Sequence, residues 1–295
     1  MPFTREQLDS IPVGPANPAP PAPEYPWPDP YRSAMFLSFD IDAESAWTSK
    51  EAAHAERLIT MSWGSFEARV GVPRLLQLLD ELDLKATFFT TGWAVDAYPA
   101  MAEDVLKRGH EIGHHGYHHL LPDPGDPWIT EEVDRGFDTL KRRLGIVPTG
   151  YRAPFGEFTA GLLALLKARG ILYTSSFRDD VRPYRHVLAD GSPGTIELPV
   201  TPSYDDWMHG LSARFSPRPI FPKEHVLSIW KDELDETRDW GGLVTTVLHP
   251  QCSGRPMRLR LLREFLQYAQ AYPDLWITTG QEIAANFLRH EAAGA

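Results

Sequence analysis

The densest group of reactive side chains is Gly109-His110-Glu111-Ile112-Gly113-His114-His115-Gly116-Tyr117-His118-His119, which holds five of the chain's eleven histidines. Imidazoles four residues apart share one face of a helical turn and can hold a divalent ion between them. His110/His114, His114/His118 and His115/His119 all have that spacing, and spacing does not choose among them. A lone histidine reads as a core or surface residue. A cluster this dense reads as a metal site, because desolvated imidazoles need partners. A second group is Phe39-Asp40-Ile41-Asp42-Ala43-Glu44. Asp40 and Asp42, two apart on extended chain, project to the same side. One can bind a metal while the other acts as a base, although alone such a pair reads as loop-capping carboxylates. Arg152 heads the turn-forming stretch Arg152-Ala153-Pro154-Phe155-Gly156 and can grip a carboxylate in a bidentate pair, or be an ordinary surface arginine. In Leu248-His249-Pro250 the proline ends an apolar run and leaves His249 at its mouth, as a general acid or as a structural histidine.

These residues need a scaffold, and the sequence supplies an alternating one. Short apolar runs occur at 34–39, 86–91, 171–175, 195–200, 243–248 and 275–278. Helical periodicity lies between them, at 66–82 (Val70, Leu75, Leu78, Leu79 and Leu82 on one face) and near 98–108, 130–144, 159–169, 222–237, 257–271 and 280–290. Gly109, Gly145 and Gly170 stand where three of these helices should stop. Alternation of this kind predicts parallel strands covered by helices, and the number of runs favours an α/β barrel, complete or not, in one domain. Chemistry in such barrels gathers at the C-terminal strand ends. Asp40 and Asp42 follow one apolar run, His249 another, and Ser175, Ser176, Asp179 and Asp180 a third. Residues 11–31 are crowded with proline and form neither helix nor central strand. They read as an extended arm, either a disordered leader or a strap that packs on the body or a neighbouring subunit through Tyr25, Trp27 and Tyr31. The chain therefore divides into an arm (1–33) and a catalytic barrel (34–295).

Composition narrows the partners. The 295 residues carry a net charge of −11, which repels nucleic acid and anionic membrane surfaces. One cysteine, Cys252, excludes an intrachain disulfide. The opening MPFTREQLDS has no apolar core and no later stretch approaches a membrane span, so a cytoplasmic location is expected.

Together the four motifs resemble the polysaccharide deacetylase family, the NodB-homology or carbohydrate esterase family 4 superfamily, from about Met35 to about Ile283. The family's second motif is roughly G-H-E-I-G-N-H-[ST]-Y-x-H, against GHEIGHHGYHH from Gly109 to His119. That likeness implies His115 and His119 as metal ligands and leaves His110, His114 and His118 as neighbours. The family's first motif is usually T-F-D-D-G. Here it is SFDIDAE, with Ile41 between the aspartates, a form similar to an intracellular branch with cyclic imide hydrolases, allantoinase-like enzymes and peptidoglycan-deacetylase-like proteins. The resemblance implies Asp42 as third metal ligand, Asp40 as catalytic base, Arg152 orienting Asp40 and His249 as general acid. It also implies Asp179 or Asp180, with Asp180 preferred, as the carboxylate that holds His249. It further implies a distorted (β/α) barrel of seven or eight strands and a homotetramer joined in part by N-terminal arms. Ile41, and Gly116 where the family has Ser or Thr, depart from the secreted polymer deacetylases.

The expected chemistry is metal-assisted hydrolysis of a non-peptide carbon–nitrogen bond, with zinc the default ion and cobalt, nickel, manganese or iron also suitable. Asp40 takes a proton from water and His249 gives one to the leaving nitrogen. The expected substrate is a small cyclic imide or amide, the alternative a peptidoglycan or other N-acetylated amino sugar. A non-catalytic binding role is disfavoured by the complete set of motifs. Trp47, Trp63, Trp207 and Trp240 could wall a pocket or simply pack.

Overall fold

In the computed structural model, which describes residues 25–121 and 127–294, the apolar runs become short strands. The first run divides at Leu37 into β1 (Ser33–Phe36) and β2 (Ser38–Ile41). The other runs hold β3 (Thr87–Thr90), β6 (Tyr173–Thr174), β8 (Pro193–Glu197), β9 (Leu243–Thr245) and β10 (Leu275–Thr278), while β4 (Glu111–His114), β5 (Gly150–Tyr151) and β7 (Tyr184–Val187) form outside them. Seven form a sheet in the order β2-β3-β4-β5-β6-β8-β7, and three form another, β10-β1-β9. Every ladder is parallel except the β7–β8 hairpin. Isolated parallel bridges, Phe39 to Leu248 and Asp205 to Val247, draw the two sheets together. No unbroken ladder circles the molecule, so this is a distorted (β/α) barrel. Among the described residues ten short strands build it, because the first run is split into β1 and β2 and the β7–β8 hairpin is added to the parallel set.

Both faces of the first two strands are enclosed, with Met35, Leu37, Phe39 and Ile41 in one apolar cluster and Ala34 and Phe36 in another, which explains why the run shows no polar alternation. The helix Val72–Glu81 shows the general pattern. Leu75, Leu76, Leu78 and Leu79 face the core, and Arg74, Gln77, Asp80 and Glu81 face solvent.

Two expectations change. The helix read over 66–82 is three pieces: an α-helix Leu58–Phe66, a π-turn Glu67–Gly71 and the α-helix Val72–Glu81. The extra residue of the π-turn rotates the face, so Val70 is 41% exposed while Glu67 is fully buried. The histidine cluster is not helical. Glu111–His114 is β4, and the chain beyond it is a loop in which Gly116 (φ 72°) and His119 (φ 60°) take left-handed conformations. Of the readings of the arm, residues 25–31 fit the strap, since they lie on this chain's own body. Trp27 is buried against Phe36, Leu243 and Ile283 and donates to the Gly241 carbonyl (2.8 Å), and Asn286 donates to the Pro26 carbonyl (3.0 Å). The rest of the arm lies outside the described residues.

Candidate active site

The parallel strands bring their C-terminal ends to one side, and the predicted residues meet there. Asp40 lies in β2 and Asp42 directly after it, His115 follows β4, and Arg152 follows β5. His249 follows the β9 segment at the Leu248 bridge. His115 Nε2 lies 3.4 Å and His119 Nε2 3.6 Å from Asp42 Oδ1. The two imidazole centroids are 4.9 Å apart. Asp42 Oδ1 is buried and accepts no hydrogen bond. His115 Nδ1 donates to the Arg152 carbonyl (2.7 Å), which leaves the Nε2 lone pair facing Asp42 and His119. Burial pushes the pKa of His119 down to about 4, so its ring is neutral at pH 7. Burial acts against ionisation of Asp42, but the rings of His119 and His115 outweigh it and hold its pKa below the usual carboxylate range. Two neutral-capable imidazoles and one unsatisfied carboxylate oxygen fit a divalent cation with open positions left for other ligands.

The acid–base residues flank this group. Arg152 Nη1 donates to Asp40 Oδ1 (2.8 Å), while its Nε and Nη2 donate to the carbonyl and hydroxyl of Ser175 (3.0 and 2.9 Å). Its guanidinium stacks 4.3 Å from the Phe89 ring centre. With each of its three nitrogens engaged, Arg152 fixes one Asp40 oxygen and leaves Oδ2 3.9 Å from His115 Nε2.

The carboxylate behind His249 is Asp206, a correction to the expected Asp179 or Asp180. Asp206 Oδ1 accepts from both Nδ1 and the backbone amide of His249 (2.9 Å each), and Oδ2 accepts from Ser253. Asp180 instead accepts from the amides of Val181 and Arg182 (2.7 and 3.1 Å), and Asp179 from the Tyr184 hydroxyl (2.7 Å). Those bonds belong to the turn that leads into the β7–β8 hairpin, so the chain there is committed to local structure. Burial pulls the pKa of His249 down, but Asp206, Asp205 and Asp42 together outweigh it and push it up to about 10. A ring held this way is protonated at neutral pH, with Nδ1 occupied and Nε2 carrying the available proton. Asp205, Asp206 and His249 also lie close enough to hold an ion, but the Nδ1–Asp206 bond suits an acid better.

Supporting residues escaped the sequence reading. Glu67, on the π-turn, accepts from the amides of Asp42 (3.0 Å) and Ala43 (3.1 Å) and from Gln251 Nε2 (2.6 Å), so it clamps the loop that presents Asp42. Glu132 accepts from the amides of Tyr117 (3.0 Å) and His118 (2.5 Å) and holds the loop that presents His119. Two other histidines of the cluster, His110 and His114, are structural. His114 donates to the Val133 carbonyl and accepts from the Gly116 amide, and His110 accepts from the Ala86 amide. A sequence signal existed for Asp206: it is half of the first acidic pair after the apolar run 195–200. Glu67 and Glu132 gave none, because each looks like an ordinary helical glutamate.

A cavity of about 410 Å³ opens over these groups. Asp40, Asp42, His115, His119 and His249 line its floor, and Phe155, Trp207 and Met208 contribute apolar wall. Trp47 is buried behind Trp207, whereas Trp240 is 59% exposed and takes no part in the cavity.

Residues 56–174 match the family model for polysaccharide deacetylase. That stretch contains His115, His119 and Arg152, whereas Asp40, Asp42, Asp206 and His249 lie outside it. The chain is 27% identical over 278 residues to the peptidoglycan deacetylase of Helicobacter pylori, covering 85% of this chain and 94% of that protein. A crystal structure from Mycobacterium smegmatis, described as that of a polysaccharide deacetylase, superposes with a TM-score of 0.87 at 36% identity, covering 92% of this chain and 96% of its own. The crystal structure of Puue allantoinase shares the fold, with a TM-score of 0.77 at 24% identity over 91% of this chain and 93% of its own. Likeness at that identity and coverage places the chain in the polysaccharide deacetylase family, as a hydrolase of carbon–nitrogen bonds other than peptide bonds.

Proposed function

We propose that this enzyme opens a small cyclic imide or a related amide, with zinc held by Asp42, His115 and His119. The observation that carries this reading is the cavity. Its volume of about 410 Å³ suits a small molecule, and Phe155, Trp207 and Met208 line it together with the candidate ligands. A bound divalent ion would polarise the carbonyl and make water more acidic. Asp40 Oδ2, left open by the Arg152 contact, takes the water proton as the carbon–oxygen bond forms. His249 then donates its Nε2 proton to the departing nitrogen, which an amide needs because its anion is a poor leaving group. Asp206 keeps His249 charged and correctly turned until that moment. An imide nitrogen shares its charge with a second carbonyl, so a site with one ion, one base and one acid opens it more readily than a simple amide. The SFDIDAE form of the first motif also favours this reading.

The second reading is N-deacetylation of peptidoglycan or an N-acetylated amino sugar, which the Helicobacter pylori relative favours by its name. Catalytic efficiency on succinimide, glutarimide, hydantoin and phthalimide, set against chitin oligomers and peptidoglycan fragments, separates the two. Clear preference for the acetylated sugars ends the imide reading and leaves the hydrolase standing. We also propose a homotetramer, on the likeness of the first motif to the branch described above. Light scattering that finds a monomer at micromolar concentration ends that proposal.

A further inference from the structure

The chain carries a net charge of −11, and many of its surface cations are neutralised by neighbouring acids. Arg169 pairs with Asp134, Arg185 with Glu291 and Arg238 with Asp274. The cavity departs from this pattern. Lys50, Arg178 and Arg218 all line it, and among the described residues no carboxylate lies within 4.0 Å of any of the three. They come from separate parts of the fold: the turn after β2, the loop after β6, and the long connection between β8 and the helix Lys223–Asp239.

Each is held by neutral groups. The Lys50 ammonium lies 5.2 Å from the centre of the Trp47 ring and 5.4 Å from that of Trp207, a position that two indoles stabilise without neutralising it. Arg218 Nη1 contacts the Met208 sulfur. Arg178 Nη1 donates to the carbonyls of Gly156 (3.2 Å) and Ser176 (3.4 Å). Lys50 and Arg218 also sense one another. Partial burial lowers the Lys50 pKa most, the charge of Arg218 adds to that, and Asp42 opposes it. Two like charges facing one space, neither with a carboxylate within 4.0 Å, are relieved by an anion between them.

We propose that Lys50 and Arg218 bind a carboxylate on the substrate, so that the amide or imide hydrolysed in this cavity is an anionic one. The inference rests on reading the cavity as the hydrolytic site. A carboxylate fits better than a dianionic phosphate, because Asp40, Asp42 and Asp205 line the same cavity and repel a second negative charge. Lys50 and Arg218 then anchor the molecule while its scissile carbonyl lies at the Asp42, His115 and His119 end. Arg178, tied back to two carbonyls, adds positive potential at the rim.

The test uses the full-length, metal-loaded protein and substrates matched except for charge. Hydantoin is compared with 5-(carboxymethyl)hydantoin, and N-acetylglucosamine with N-acetylmuramic acid. In whichever pair is turned over, the anionic member should have the higher kcat/KM by about tenfold or more, the usual scale for a hydrogen bond to a charged group. Lys50→Met and Arg218→Met should each cut that charge preference by about tenfold, and Lys50→Arg should restore most of it. Binding gives a second readout that needs no turnover. Glutarate should change the tryptophan fluorescence, with an affinity that falls about tenfold in either Met variant, while neutral glutaramide discriminates little between variants and wild type. Circular dichroism checks that the variants fold. Equal preference for neutral and anionic members, or glutarate affinity unchanged in both Met variants, overturns the proposal. If no substrate of either pair is hydrolysed, the proposed substrate reading fails by itself, and the glutarate measurement still decides the subsite.

Discussion

At the scale of single residues, side chains of one type stand in different surroundings and suit different jobs. Asp42 faces two imidazoles with an oxygen that accepts no hydrogen bond, whereas Asp40 is oriented by Arg152. Asp40→Asn should therefore keep its metal and lose turnover by about a hundredfold or more, the usual contribution of a positioned base. Metal analysis beside steady-state kinetics checks both halves. Asp206→Asn tests the acid. His249 donates only while protonated, so activity falls as pH rises through its pKa, which the neighbouring carboxylates push up to about 10. Removing the Asp206 charge lets burial prevail, and the alkaline limb of kcat/KM should move to lower pH by about one unit or more. A limb that stays in place would mean that His249 is not the acid. Most of this chemistry was legible in the sequence. The motifs single out Asp40, Asp42, His115, His119, Arg152 and His249, and the fold brings them together. The Asp179/Asp180 expectation failed because nearness to a strand end does not say where a side chain points. Both residues are spent on the hairpin turn, and a bridge at Val247 carries Asp205 and Asp206 to His249 instead.

At the scale of elements, the ligands depend on how helices meet loops. Gly136 in the helix Ile129–Leu144 packs directly against the site loop. A Cβ there would lie 2.5 Å from His114 Cε1 and 2.7 Å from the Gly116 carbonyl oxygen. Alanine is the better helix former by about 1 kcal/mol, yet Gly136→Ala should destabilise the protein by about 1–3 kcal/mol, because backbone cannot yield to the new methyl group. Thermal unfolding measures this. Glu132→Ala removes the acceptor that orders Tyr117 and His118 and should weaken metal affinity about tenfold or more without unfolding the barrel, as loss of outer-shell support does. Titration of metal-free protein reads that change. The long helices were readable from periodicity, as at Ile129–Leu144 and Pro256–Gln270. β4 was not, because Glu111-Ile112-Gly113-His114 is not an apolar run. Its polar groups are satisfied from neighbouring strands, with Glu111 accepting from Thr87 (2.6 Å) and Tyr173 (2.9 Å), and Gly113 makes room for the Phe89 ring. The π-turn was equally hidden, since one inserted residue leaves the apolar spacing almost unchanged.

At the scale of the whole molecule, a barrel whose ladders do not close is held partly by what wraps it. The segment from Tyr25 to Tyr31 is one such strap, anchored by Trp27 in a pocket of Phe36, Leu243 and Ile283. Trp27→Ala should destabilise the fold by roughly 3 kcal/mol or more, the scale of emptying a buried aromatic site, and a loss under about 1 kcal/mol would show that the strap is incidental. Among the described residues no helix is long and apolar enough to cross a membrane. The α/β class followed from the alternation of runs, whereas the distortion did not, since it depends on long-range registers such as Phe39 with Leu248 that leave no local mark. The central claim is that Asp42, His115 and His119 hold one catalytic divalent ion, and elemental analysis joined to activity tests it most directly. Wild-type protein should contain about one ion per chain, lose activity on chelation and regain it on adding zinc. The His115→Ala/His119→Ala double variant should contain almost none and remain inactive under the same addition. Full metal occupancy in that double variant, or undiminished turnover by thoroughly chelated wild type, would contradict the account.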